Sequence, residues 1–141
     1  APGDLITGNT IGGGVIAIRV EGQGSRIDGN FIGGRVIGGT PVVFRNGGAG
    51  IWINGGAQHE ITGNVIRNNG SDAIDVDAAT TQAKFAENSM VGNSGLGIDL
   101  GTNGVSANDA LDADGGANGG QNFPVINGVS HVAGGISVGG T

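Results

Sequence analysis

The sequence has no cysteine and no tyrosine, one methionine, one tryptophan and three prolines in 141 residues. Without cysteine there is no disulfide framework and no thiolate for metal or nucleophilic chemistry; the redox compartment stays open, because secreted proteins also fold without disulfides. Three prolines and no fixed Gly-X-Y period exclude collagen. No run approaches the roughly 18 apolar residues of a membrane-crossing helix, so membrane insertion is not expected. Basic residues are scarce as well. Six Lys and Arg stand against twelve Asp and Glu, a net charge of −6, which repels phosphate backbones and leaves no basic stripe for nucleic acid. The opening APGDLITGN lacks the basic start and apolar core of a signal peptide.

Glycine, by contrast, is abundant at 33 residues. Each glycine inside a helix costs about 1 kcal/mol relative to alanine, so a helical protein is excluded. Disorder is disfavoured by the 37% of hydrophobic residues, which include many well-spaced Ile and Val. The length suits one domain with a thin, regular core.

That regularity is visible as a repeat. Ile6-Thr7-Gly8-Asn9-Thr10-Ile11 recurs as Ile27-Asp28-Gly29-Asn30-Phe31-Ile32, as Ile61-Thr62-Gly63-Asn64-Val65-Ile66 and, degenerately, as Phe85-Ala86-Glu87-Asn88-Ser89-Met90. A second phrase follows each copy: Ala17-Ile18-Arg19-Val20, Gly50-Ile51-Trp52-Ile53, Ala73-Ile74-Asp75-Val76 and Gly97-Ile98-Asp99-Leu100, with Gly135-Ile136-Ser137-Val138 as a possible fifth. The third and fourth copies superpose without a gap at an offset of 24. Apolar residues alternate with polar ones, as in strands with one buried face, and Gly, Asn and Ser clusters supply the corners. A unit this short cannot bury its own face, so the copies must stack into a parallel coil. The expected columns are Ile6/Ile27/Ile61/Phe85, Ile11/Ile32/Ile66/Met90, Ile18/Ile51/Ile74/Ile98 and Val20/Ile53/Val76/Leu100, with Asn9/Asn30/Asn64/Asn88 at a corner.

These phrases resemble the right-handed parallel β-helix repeat proteins, the pectate-lyase-like superfamily, whose rungs carry I-x-x-N-x-I followed by G-I-x-V. The resemblance spans about residues 5–100 and implies an all-β fold, a right-handed parallel β-helix (solenoid) of about 4–5 rungs. Residues 1–121 are assigned to it, with insertions at 33–45, expected to form a side hairpin, and 101–121. Residues 122–141 are either a last rung or the first strands of a following β module. Ile98-Asp99-Leu100-Gly101, Asn108-Asp109, Asp112-Ala113-Asp114 and Gln121 to Ile126 resemble the stretch that ends the helix in long bacterial surface β-helix proteins. This second resemblance implies an extracellular or cell-surface location in a bacterium. The superfamily includes lyases, hydrolases, tailspikes, adhesins and plain scaffolds, so the fold does not name an activity.

The outward column of the second phrase runs Arg19, Trp52, Asp75, Asp99, with Ser137 as a possible last member. Rungs lie about 4.8 Å apart, so Asp75 and Asp99 would repel by about 0.8 kcal/mol even at water's dielectric. Asp77 shares their face. Two readings follow: a solvated acidic face, or a calcium site at Asp75, Asp77 and Asp99, as enzymes of the superfamily often have on such a ladder. Asp109, Asp112 and Asp114, with Asn118, form a second candidate calcium cluster. It is no EF-hand, because Ala117 and Phe123 occupy the positions that require Gly and Glu. Trp52 with Arg19 is a candidate glycan platform or a cation-π pair. A lyase would need a basic residue beside a carboxylate cluster, drawn here from Asp75 with Arg19 or Lys84, yet no catalytic motif is legible and no catalytic residue is assigned. His59 and His131 are isolated and are expected in turns or on the surface.

Neither APGDL nor SVGGT has the character of a solenoid cap. The sequence is therefore expected to be cut from a longer solenoid or to associate with itself through open ends. The overall expectation is a non-enzymatic structural or adhesive scaffold segment that requires no cofactor, able to build filaments end to end. The alternative is a carbohydrate-binding or calcium-dependent lyase-like β-helix.

Overall fold

A computed structural model describes residues 3–101, 104–112 and 115–140. The first rung comprises β1 (Leu5–Thr7), β2 (Thr10–Ile11) and β3 (Ile18–Val20). The second comprises β4 (Arg26–Asp28) and β5 (Phe31–Ile32), then a side hairpin of β6 (Gly34–Ile37) and β7 (Thr40–Val43), then β8 (Ile51–Ile53) and the short β9 (Gly56–Ala57). The third holds β10 (Glu60–Thr62), β11 (Val65–Arg67), β12 (Ile74–Val76) and β13 (Thr80–Thr81). The fourth holds β14 (Lys84–Ala86), β15 (Ser89–Val91) and β16 (Ile98–Leu100). The chain ends in β17 (Ile126–Val132) and β18 (Gly135–Gly140).

Like strands stack into three parallel sheets, β1-β4-β10-β14, β2-β5-β11-β15 and β3-β8-β12-β16. The register is the one the repeat implies. Ile27 pairs with Ile6 and Ile61, and Ile61 with Phe85; Ile66 pairs with Ile32 and Met90; Ile74 pairs with Ile51 and Ile98. Ile27, Ile32, Ile51, Ile53, Ile61, Ile66 and Ile74 are wholly buried. Each contributes roughly 1.5–3 kcal/mol by leaving water, which a lone rung could not obtain.

Corners are held by side-chain amides. Asn9, Asn30, Asn64 and Asn88 form the expected ladder: the Oδ1 of Asn64 accepts the backbone N–H and side-chain amide of Asn30, both at 3.0 Å, while its own Nδ2 donates to Ile27 O, Thr62 O and Asn88 Oδ1. The residue before each Asn sits in the left-handed region, with Gly8, Gly29 and Gly63 at φ 68, 63 and 63°. A second ladder, Asn46–Asn69–Asn93, turns the corner that leads from the second sheet to the third, with Nδ2-to-Oδ1 distances of 2.7 and 2.8 Å. Its members stand five residues before Ile51, Ile74 and Ile98, a spacing as regular as that of the first ladder.

The insertion at 33–45 is the hairpin its sequence suggested, turned through Gly38 and Gly39 at positive φ. Two expectations need correction. Gly135-Ile136-Ser137-Val138 adds no fifth rung, because β18 runs antiparallel to β17, with Ile136 opposite His131 and Ser137 opposite Ser130. Ser137 is therefore not on the outward column. His59 is not a surface residue either: it is wholly buried, its Nδ1 accepts the Ser25 N–H at 3.3 Å and its Nε2 lies 3.2 Å from Gly55 O. Those partners fit a neutral ring protonated on Nε2.

The second insertion also does more than loop out. A 3-10 turn at Ala117–Gly120 packs on β13 and β16 and buries Ala117 in the core. Asn118 imitates one more strand there: its Oδ1 accepts the Ala83 N–H at 2.7 Å and its Nδ2 donates to Ala83 O at 3.0 Å. This part of the last rung is covered by an internal segment rather than by residues at either end of the sequence.

Candidate functional site

The outward column on the third sheet is the richest chemical feature of the molecule. Register places Arg19 beside Trp52, Trp52 beside Asp75 and Asp75 beside Asp99. The Arg19 guanidinium carbon stands 4.5 Å from the Trp52 ring centroid, and its Nη2 is 2.6 Å from Glu21. One ring face is thus already in contact with a cation.

At the other end of the column, burial first, and then the negative charges of Asp72, Asp99 and Asp77, hold the Asp75 carboxyl above its ordinary value of 3.8. The largest of these charge effects comes from a residue the sequence reading missed. Asp72 is buried, accepts the Leu96 N–H at 2.6 Å and bonds the Ser71 hydroxyl at 2.8 Å. The equivalent positions in the other rungs are Ile16, Ala49 and Leu96, so no repeat marks it. Asp77 uses Oδ1 locally, accepting the Ala79 N–H at 3.2 Å.

Asp99 differs from the expected solvated ladder member. Only 3% of it is exposed, because the segment after Leu100 folds over it. Its Oδ2 accepts the Gly104 N–H at 2.9 Å, while its Oδ1 is buried without a partner. Asp99 lines a cavity of about 400 Å³ between the last rung and the inserted segment, walled by Ile98, Leu100, Val105 and Phe123.

The family model for a right handed beta helix region matches residues 3–123. The chain belongs to the right-handed β-helix family. No curated protein and no solved structure matches it. Membership fixes the hand of the coil and its all-β solenoid class, as the repeat and its resemblance implied.

Within the β-helix, the second acidic cluster lies on the inserted segment. Asp109 N–H donates to Asn122 Oδ1 and Asn122 Nδ2 returns a bond to Asp109 O, while Asn108 and Phe123 exchange a similar pair, so the two ends of the loop are clasped together. Asp112 closes a 3-10 turn at Ala110–Asp112, and Asp114 lies outside the described residues. Asn118 turns away from this cluster toward Ala83. Among the described residues, no three His, Cys, Asp or Glu converge as a metal ion requires. Among the described residues no ion pair joins Asp75 to a basic group: Arg19 lies two rungs away at Glu21, and Lys84 belongs to the first sheet, 3.9 Å from Glu60. The column supplies a cation-π pair at one end and crowded carboxylates at the other.

Proposed function

We propose that this β-helix is a non-enzymatic structural or adhesive scaffold segment of a bacterial cell-surface or extracellular protein. The observation that carries the reading is the stacking itself: Ile columns and two Asn ladders repeat from rung to rung and build a stiff rod. The outward residues instead vary along the column, from Arg19 to Trp52 to Asp75 and Asp99. A rod of this kind spaces or presents other parts of a protein without needing to turn over a substrate. Assembly of copies into filaments belongs to the same reading and would use β1, β2 and β3 at one end with β14 and β15 at the other, each paired on one side only.

Two experiments bear on it. Antibody labelling and external protease digestion of intact native cells should find the segment accessible, and polysaccharides, including polyuronates, should remain uncleaved with or without calcium. Depolymerisation of any of them, or protection from protease until the cells are lysed, overturns the reading. Glycan binding at Trp52 and Arg19 is a second reading, favoured by the placement of a partly buried indole on an outward column. Glycan-array signals lost in Trp52→Ala would support it, and signals unchanged by that substitution would dismiss it.

A further inference from the structure

The hairpin β6–β7 leaves the coil with apolar side chains on both of its faces. Its register puts Val36 with Val43 on one face and Ile37 with Val42 on the other. Val36, Ile37 and Val43 are 52, 46 and 55% exposed, and every residue from Val36 to Pro41 is open to solvent. Exposed apolar side chains gathered in this way mark a surface that meets another body. The foot of the hairpin is cationic. Gly33 packs directly against the Arg67 carbonyl with no room for a Cβ, Arg35 stands two residues further along, and Arg45 follows Phe44, whose N–H donates to Gly33 O at 3.0 Å. Arg35 reaches Thr10 Oγ1 and Arg45 reaches Ser94 Oγ, both neutral groups, while Arg67 Nε is buried without a partner. Arg19, Arg26 and Lys84 pair with carboxylates; among the described residues these three arginines do not. No Asp or Glu occurs from residue 29 to residue 59 or on any strand of the second sheet.

We propose that this hairpin is a docking element for an anionic lipid surface, its apolar end entering the headgroup layer while Arg35, Arg45 and Arg67 meet lipid phosphates. The two apolar faces select the occupant. A protein groove or the flank of a second copy covers one face of a hairpin, whereas a lipid interface surrounds both. Duplex nucleic acid, with one charge per about 1.7 Å, offers nothing to the apolar end. Strands of four residues each are too short to cross a bilayer, which takes about 9–11. They reach the layer where water and headgroups still serve the free strand edges. Basic side chains beside such an insertion add an attraction to anionic lipid that salt screens.

Co-sedimentation of the whole chain with vesicles tests the proposal. Vesicles of phosphatidylglycerol and phosphatidylcholine in equal parts should bind at least about tenfold tighter than phosphatidylcholine alone, and less well as NaCl rises from about 50 to about 500 mM. Val36→Asp with Ile37→Asp should weaken that binding at least about tenfold and leave the melting curve unchanged. Arg35→Gln with Arg45→Gln should reduce the preference for anionic vesicles at least about fivefold. In a Trp52→Phe background, Val36→Trp should emit at shorter wavelength with the anionic vesicles only. No binding at about 1 mM lipid, equal binding to neutral vesicles, affinity undiminished by the aspartates, or a preference unaltered by the glutamines overturns the proposal. So does hairpin-dependent self-association, or tighter capture by dextran sulfate that the aspartates leave unchanged, since those results assign the surface to a second copy or to a soluble polyanion. Should the paired aspartates disturb folding, deletion of residues 34–44 decides: vesicle binding should be lost, and undiminished binding overturns the site.

Discussion

Glu87 occupies the corner that Gly8, Gly29 and Gly63 fill in the other rungs, and it holds the same left-handed backbone, φ 58°. A side chain there costs about 1–3 kcal/mol, partly offset by the greater freedom glycine has when unfolded. Glu87→Gly should therefore stabilise the chain by about 0.5–1 kcal/mol in urea titration, with the m-value unchanged. Asp75 permits a signed pH experiment. Its folded carboxyl binds a proton more tightly than an unfolded one, first because of burial and then because of Asp72, Asp99 and Asp77. Between 3.8 and its raised value the folded state holds the extra proton, so stability falls as pH rises through that window. Asp75→Asn should melt higher than the parent at neutral pH, and the advantage should vanish below pH 3.8, as thermal scans at the two pH values will show. Glu87 was legible as a departure from the Gly-Asn phrase. The environment of Asp75 was legible only in part, because Asp72 carries no repeat signature and acts through space.

Asn64 belongs to an element rather than to itself. It accepts from Asn30 and donates to Ile27, Thr62 and Asn88, so Asn64→Ala leaves several buried groups without partners. A loss of about 3 kcal/mol or more is expected, against about 1 kcal/mol or less for Asn9→Ala at the exposed end of the ladder, both measured by denaturant unfolding. The hairpin β6–β7 gives the opposite expectation. It is a lateral outgrowth between Ile32 and Asn46, two positions that the third rung joins through Arg67 and Asn68 alone. Deleting residues 34–44 should leave a cooperative melt and the same β-rich circular dichroism, because neither the Ile columns nor the Asn ladders pass through it. The hairpin was readable from Gly-Gly-Thr-Pro between apolar pairs. The Asn46–Asn69–Asn93 ladder was equally periodic, yet its Asn is preceded by Arg45, Asn68 and Gly92 and lacks a constant neighbour to mark it.

For the whole molecule, the inserted segment governs how the last rung meets solvent. Ala117 and Asn118 cover β13 and β16, and a chain ending at Leu100 would expose Ile98 and Leu100 together with the strand edge beneath them. Such a truncation should associate in a concentration-dependent way in light scattering at concentrations where the parent shows less association. The sequence alone determined the solenoid, its four stacked copies, the register of every Ile column and the first Asn ladder. The reason is physical: in a coil of like rungs each residue meets its own counterpart one period away, so a one-dimensional repeat already states the three-dimensional contacts. Only the tertiary structure decided what breaks the period. His59 at a buried corner, the antiparallel β17–β18 where a last rung was one of two readings, and the inserted segment folded over Asp99 all depend on contacts between unlike residues. Those contacts turned an outward aspartate on a ladder into a carboxylate enclosed beside an apolar cavity.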